Sequence, residues 1–260
     1  MLRGAHDTYH SLHPVALMAR AGIPLLAVLI DADNSSPAWA EAIFEEIASL
    51  GEASVRRIYG DFSRSQLKGW SDRLAALALV PHHQPANTVG KNASDIALVI
   101  DAMDILHSGR FDGFVLVSSD SDFSRLASRI REQGLDVYGI GQRKTPEAFR
   151  KACKRFIFVE NLIGATEPEA EPDRKAEPAP KKDSPAKAVP LIEAAMRAID
   201  PDGEWYSLGQ IGQFVTAQNP DFDSRSYGSA KLSDLIAKTG HFEMKRGEGN
   251  QTLARSKPRK

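Results

Sequence analysis

The chain has a single cysteine, Cys153, among its 260 residues. That excludes an internal disulfide and a cysteine-rich zinc site. No apolar run approaches the roughly 18 residues of a spanning helix, and the N-terminal stretch lacks the continuous apolar core of a signal peptide. The expectation is therefore a cytoplasmic protein with no membrane partner. Charge of one sign is also missing: the formal net charge is −1, which gives no global attraction to nucleic acid, so any basic surface must be local. What is present, 42% hydrophobic and 26% charged residues, suffices for one good core and a second small one.

Residues 1–23 show no clear periodicity, and His6, His10 and His13 come at irregular steps that share no helical face. They are read as an N-terminal arm without a role. From Pro24 the pattern becomes regular. Leu25 to Ile30 is a short continuous apolar run, as a central parallel strand requires, and it ends in Asp31-Ala32-Asp33-Asn34. Ser35 or Ser36 then caps a helix entered by Pro37, with Trp39, Ile43, Phe44 and Ile47 on its buried side and Gly51 closing it. A strand near Ser54 to Tyr59, a helix from about Ser65 to Leu77 and a short strand at Leu79 to His82 follow. A polar loop leads into a helix from Asp95 to Leu106 with Ser94 as its N-cap. Phe114 to Val117 is a second buried strand. It stops in Ser118-Ser119-Asp120-Ser121-Asp122-Phe123 before another helix, a strand at Asp136 to Ile140, a short helix after Pro146 and a last strand at Arg155 to Val159. Strict alternation of β and α predicts an α/β fold, a doubly wound parallel sheet with helices on both faces.

In the order 3-2-1-4-5 the first and fourth strands are neighbours, and the ligand crevice opens where the winding reverses between them. Asp31 ends strand one and Asp120 ends strand four, while the helix carrying Asp95 starts at the same edge. Asp31, Asp95, Asp120 and Asp122 are thus expected in one crevice as the catalytic and metal-binding set. Hard oxygen donors without nearby His or Cys suit Mg²⁺ or Mn²⁺, ions that serve phosphate chemistry. Asn34, Lys91 and Ser119 are candidates for supporting or phosphate contacts. Asp33 is read as a turn former, and Asp101 and Asp104 as lying off the azimuth of Asp95.

Three blocks, Leu29-Ile30-Asp31-Ala32-Asp33-Asn34, Gly90 to Leu98, and Leu116 to Phe123, resemble the signatures of the NYN domain, the PIN-like nucleases of the bacterial LabA group. The resemblance runs from about Leu25 to Leu162 and implies a metal-dependent ribonuclease whose acidic cluster maps onto Asp31, Asp95, Asp120 and Asp122. Ala32 replaces the glycine of the usual Asp-Gly-x-Asn block, and Ser119 stands where a glycine is common. Neither change removes a carboxylate.

After the domain assigned to 24–164, residues 165–188 are rich in Glu, Pro, Ala and Lys with almost no large apolar residues, the composition of a disordered linker. Residues 189–254 read as a small α+β winged helix-turn-helix. Helices are expected at Val189 to Ile199, Leu208 to Ala217 and Tyr227 to Lys238, with a two-stranded wing around Gly247 to Asn250. Physics alone leaves DNA, RNA or protein open as its partner. Gly203-Glu204-Trp205-Tyr206-Ser207-Leu208, Asn219 to Asp223 and Tyr227 to Ile236 resemble the OST-HTH (LOTUS) domain, which implies RNA. Arg225, Tyr227, Lys231, Lys245 and Arg246 are the candidate RNA-binding residues. A basic tail, 255–260, closes the chain.

The combined expectation is a metal-dependent ribonuclease whose RNA is recruited by a tethered domain, with no shared interface needed between the two. Protein partners or self-association through either domain stay open. A non-catalytic RNA-binding adaptor is the main alternative, and a haloacid-dehalogenase-like phosphatase, in which Asp31 of the Asp31-Ala32-Asp33 triplet is the nucleophile, is the lesser one.

Overall fold

The computed structural model describes residues 22–83, 93–163 and 182–257. Lys91 and most of its loop, the N-terminal arm and the bulk of the predicted linker lie outside the described residues. In the first domain, β1 (Leu25–Asp31), β2 (Glu52–Gly60), β3 (Val80–His83), β4 (Gly113–Val117), β5 (Asp136–Gly141) and β6 (Arg155–Phe158) form one six-stranded sheet in the order β3-β2-β1-β4-β5-β6. All five pairings are parallel. The predicted order and the reversal between β1 and β4 are both present.

Alternation along the central strands explains why their sequences are apolar throughout. Ala27, Leu29, Phe114 and Leu116 enter one buried cluster with α3 (Ala93–His107), α4 (Ser124–Glu132) and α5 (Glu147–Ala152). Leu26, Val28, Ile30, Val115 and Val117 enter the other, with α1 (Ala40–Leu50) and α2 (Lys68–Ser71). Both sheet faces are covered, as a parallel sheet requires. Ser36 caps the short 3-10 turn at Pro37 that feeds α1, accepting from Ala38 N–H. The long helix expected from Ser65 to Leu77 is instead a 3-10 turn, the four residues of α2 and a run of turns. The chain must reverse quickly there to start β3, and Ala78 absorbs the reversal with a φ of 50°.

The second domain packs α6 (Val189–Ile199), α7 (Leu208–Gln218) and α8 (Leu232–Thr239) against a three-stranded antiparallel sheet, β7 (Tyr206–Ser207), β8 (Phe242–Arg246) and β9 (Thr252–Ser256). Its core joins Ile192, Met196, Ile211, Val215, Leu235, Ile236 and Phe242. The helix expected from Tyr227 is split: a 3-10 turn at Ser224–Tyr227 ends at Gly228 in the left-handed region, φ 72°, and α8 starts four residues later. Order also begins earlier than composition suggested, because a 3-10 turn at Pro185–Ala188 is part of this domain and Ala188 is buried.

The two domains touch. Edge strand β6 donates Phe156 N–H to Pro220 C=O at 2.8 Å. Arg225 bridges to Glu46 of α1 at 2.9 and 3.2 Å, Arg150 pairs with Asp221, and Asn161 donates to the Ser226 hydroxyl at 2.9 Å. The small domain therefore caps one edge of the sheet, and the expectation of a tether without shared interface gives way to a docked arrangement.

Candidate active site

The central feature is a serine that ties two acids together. Ser118, the first residue after β4, donates its hydroxyl to Asp31 Oδ2 at 2.7 Å and accepts the Asp120 N–H at 3.0 Å. Asp31 ends β1, and its other oxygen, Oδ1, accepts N–H groups from Asp33 (3.1 Å) and Asn34 (3.2 Å). Asp120 in turn caps the 3-10 turn before α4, accepting Asp122 N–H at 2.9 Å. The reversal point of the sheet is thus closed by hydrogen bonds between the ends of β1 and β4.

The third segment arrives with α3. Ser94, expected as its N-cap, lies within the helix and donates to Asp33 Oδ2 at 3.2 Å. That contact holds the start of α3, with Asp95 in its first turn, against the turn after β1. Burial, then the negative charges of Asp31, Asp120, Asp33 and Asp122, pushes the Asp95 carboxyl up to about 6. Burial also raises Asp31, opposed by its hydrogen bonds from Ser118 and Asn34. Asp31 is 1% exposed, while Asp95 and Asp120 are half-buried and Asp33 and Asp122 are exposed. The crevice therefore has a buried floor and an open acidic rim.

Asp31, Asp120 and Asp122, drawn with Asp95 from three distant segments, all act electrostatically on Asp95. Among the described residues, no three His, Cys, Asp or Glu side chains yet converge around a single point as a closed metal cage would. The donor chemistry nevertheless fits a hard divalent cation, since every available donor is an oxygen and the repulsion felt by Asp95 is what such a cation cancels. Asn34 supports Asp31. Ser119 faces the neighbouring strand, its hydroxyl accepting Gln142 N–H at 2.9 Å. Neither Ala32 nor Ser119 adopts a positive φ, so neither position demands the glycine common in related blocks.

Two residues of the site escaped the sequence reading. Asp33, assigned to a turn, adds a fourth negative charge beside Asp95 and anchors Ser94. Ser118 had one usable signal, its place as the first polar residue after an all-buried strand and two before an acid.

In the second domain, Lys245 places its ammonium 4.0 Å from the Trp205 ring centre, and the Arg255 guanidinium lies 4.6 Å from the same ring. Lys245, Arg246 and Lys231 are exposed, and Arg246 also reaches Asn250. Arg225 is held by Asp223 and Glu46, which raise its already high pKa against the opposing effect of burial. Tyr227 packs on Phe222, ring centres 5.8 Å apart. Trp205 is a further member of this surface that the sequence did not single out, and Arg255, expected only as the start of the basic tail, is paired with Glu204 and Glu243 beside it.

Two family models agree with this architecture. The family model of the NYN domain matches residues 25–160, and that of the OST-HTH/LOTUS domain matches residues 181–254. No curated protein matches the chain. Among solved structures, a crystal structure of a protein of unknown function from Vibrio parahaemolyticus is 21% identical, covering 54% of this chain and 94% of that one, with a TM-score of 0.45. A solution structure of an uncharacterized protein from Nitrosomonas europaea is 32% identical over 36% of this chain and 95% of that one, with a TM-score of 0.26. The chain belongs to the NYN family and carries a C-terminal OST-HTH/LOTUS domain.

Proposed function

We propose that this protein is a metal-dependent ribonuclease acting in RNA processing or turnover, with the OST-HTH domain recruiting RNA to the acidic crevice. The observation that supports the reading is that Ser118 ties Asp31 to Asp120 at the reversal point of the sheet, while the Asp95 carboxyl feels the charges of Asp31, Asp120 and Asp122. Those four acids would hold Mg²⁺ or Mn²⁺. When bound, such an ion neutralises charge on a phosphodiester and makes a water acidic enough to attack it.

The chain's own contribution is positional. Ser118 and the amides of Asp33 and Asn34 fix the Asp31 carboxylate, so that it cannot turn away from the crevice. Ser94 ties the first turn of α3 to Asp33, and Asp95 in that turn feels the charges of Asp31 and Asp120. Without a cation this array repels a phosphate, which supports the proposed ion dependence. Lys245 and Arg246 on the wing, with exposed Lys231, are the proposed phosphate contacts of the second domain. Arg225 and Tyr227 are proposed to serve it indirectly, by holding the domain in place and filling its core. A nuclease-type family match over β1 to β6 favours this chemistry over a phospho-enzyme on Asp31.

The test is cleavage of labelled single-stranded and structured RNAs by the pure protein with Mn²⁺, Mg²⁺ or EDTA, beside Asp120→Asn. Cleavage that needs the ion and is lost in the variant supports the proposal. Equal binding by both proteins with no turnover under any ion refutes it and leaves an RNA-binding adaptor.

A further inference from the structure

A row of polar side chains runs from the acidic cluster to the edge of the sheet. Asp31, Tyr59 and His82 are partners in register on the adjacent strands β1, β2 and β3, so they form a row across the carboxyl edge on one face of the sheet. Tyr59 is fully buried, and its hydroxyl is fixed by Asp101 of α3, which also pairs with Arg57. The His82 ring lies against the Tyr59 ring, centres 4.9 Å apart and planes tilted by 36°, with His82 Nε2 3.9 Å from Asp101. β3 is the last strand of the sheet among the described residues, and the His82 side chain is 32% exposed. One ring face is therefore supported by a buried tyrosine that is itself locked, while the ring lies on the last strand of the sheet among the described residues. Two strand spacings put His82 about 10 Å along the edge from Asp31.

The His82 ring is only half-buried, so packing on Tyr59 leaves part of it accessible to a ligand. Unpaired RNA bases stack on flat, pre-oriented aromatic side chains, histidine included, and such stacking is tolerant of base identity. Arg57, 30% exposed in the same group, adds positive charge that offsets Asp101 and moderates the repulsion of an RNA backbone leaving the acidic rim. Resting on the nuclease reading, we propose that His82, backed by Tyr59 and Asp101, is a stacking subsite for an unpaired base of the RNA strand close to the bond held at the acidic crevice.

Two measurements on the full chain test this. In the first, single-stranded RNA carrying one 4-thiouridine is photo-crosslinked and the adduct mapped, a readout that does not require cleavage. The expected adduct falls in the Val80–His83 segment, persists in His82→Phe and disappears in His82→Ala. In the second, abasic nucleotides are scanned along a short RNA and KM is measured for parent, His82→Ala and His82→Phe. Loss of one particular base is expected to raise the parent KM roughly tenfold, the lower range for one base–aromatic stack. His82→Ala should raise it similarly for the intact RNA and then be indifferent to the same abasic substitution, with His82→Phe behaving as the parent. A purely structural role for His82 would leave the abasic penalty unchanged in His82→Ala, and that result overturns the proposal. So does crosslinking confined to other segments. If the parent cleaves nothing, the nuclease reading fails while the crosslink map still decides the subsite.

Discussion

Asp95→Asn offers the most direct test of the acidic cluster, because it asks whether these carboxylates face one another without asking whether the protein cuts anything. The Asp95 carboxyl is moved from 3.8 to about 6, first by burial and then by Asp31, Asp120, Asp33 and Asp122. At ~1.4 kcal/mol per pH unit the ceiling on the associated free energy is about 3 kcal/mol. Asp95 is only half-buried, so solvent screening reduces this to on the order of 1 kcal/mol. The sign follows from linkage. A carboxyl whose folded pKa lies above its unfolded one is penalised when charged, so the cost is fully present above about pH 6 and is relieved as pH falls through 6 toward 3.8. In EDTA at pH 7.5, Asp95→Asn should therefore stabilise the protein and raise its Tm by ~2–4 °C. The gain should shrink steadily between pH 6 and pH 4. Adding Mn²⁺ should raise the Tm of the parent and do much less for the variant, since ligand binding to the folded state stabilises it by mass action. Thermal melts by circular dichroism across pH, with and without EDTA, measure all of this. A variant with normal secondary structure that is neutral or less stable at pH 7.5 would refute the raised Asp95 carboxyl.

Ser118→Ala should cost ~1–3 kcal/mol in urea unfolding, because Asp31, 1% exposed, loses a donor that no water replaces, and it should lower kcat through misplaced Asp31 and Asp120. Gly141→Ala tests the same corner sterically: a Cβ there would lie 2.4 Å from the Ser118 carbonyl and 3.0 Å from Phe156. A loss of ~1–3 kcal/mol is expected in chemical denaturation, with activity falling beyond what the lost stability explains. At the domain contact, Glu46→Gln removes the carboxylate shared by Arg155 and Arg225. It should increase the radius of gyration in small-angle scattering and accelerate proteolysis between the domains, more so at high salt. An unchanged scattering profile would refute a docking role for Glu46.

The sheet was legible because β1 and β4 are apolar on both faces and the intervening segments alternate, a pattern that few folds other than a parallel sheet can bury. Sheet order then put Asp31 and Asp120 at neighbouring strand ends without any structural information. The small domain's α6 and both wing strands were readable for the same local reason, their period and turn residues. What escaped was long-range or context-dependent. Arg225 has the look of a phosphate-binding cation, yet its partner Glu46 lies 179 residues away in sequence. Ser94 is a good N-cap by type, but the hydroxyl finds Asp33 across 61 residues instead. Asp101 is off the azimuth of Asp95, as the helical period requires, and this offset is what carries it to Arg57 and Tyr59. Local pattern places such side chains on a surface and cannot say which other surface meets it.

The topology also constrains how the two domains share one RNA. The small domain docks on β6, at one edge of the sheet, whereas His82 belongs to β3, at the other, and Asp31 and Asp120 lie between them. Five inter-strand steps separate the edges, about 24 Å at the usual strand spacing. An RNA that touched the crevice, the His82 edge and the winged helix together would have to run across the carboxyl ends of the whole sheet. Oligonucleotide length then separates the contacts. Charge reversal at Lys245 and Arg246 should weaken KM for RNAs long enough to span that distance and leave the shortest cleavable RNAs unaffected, because those never reach the wing. An equal penalty at every length would mean instead that the wing grips RNA at the crevice itself, and the edge-to-edge path would have to be abandoned.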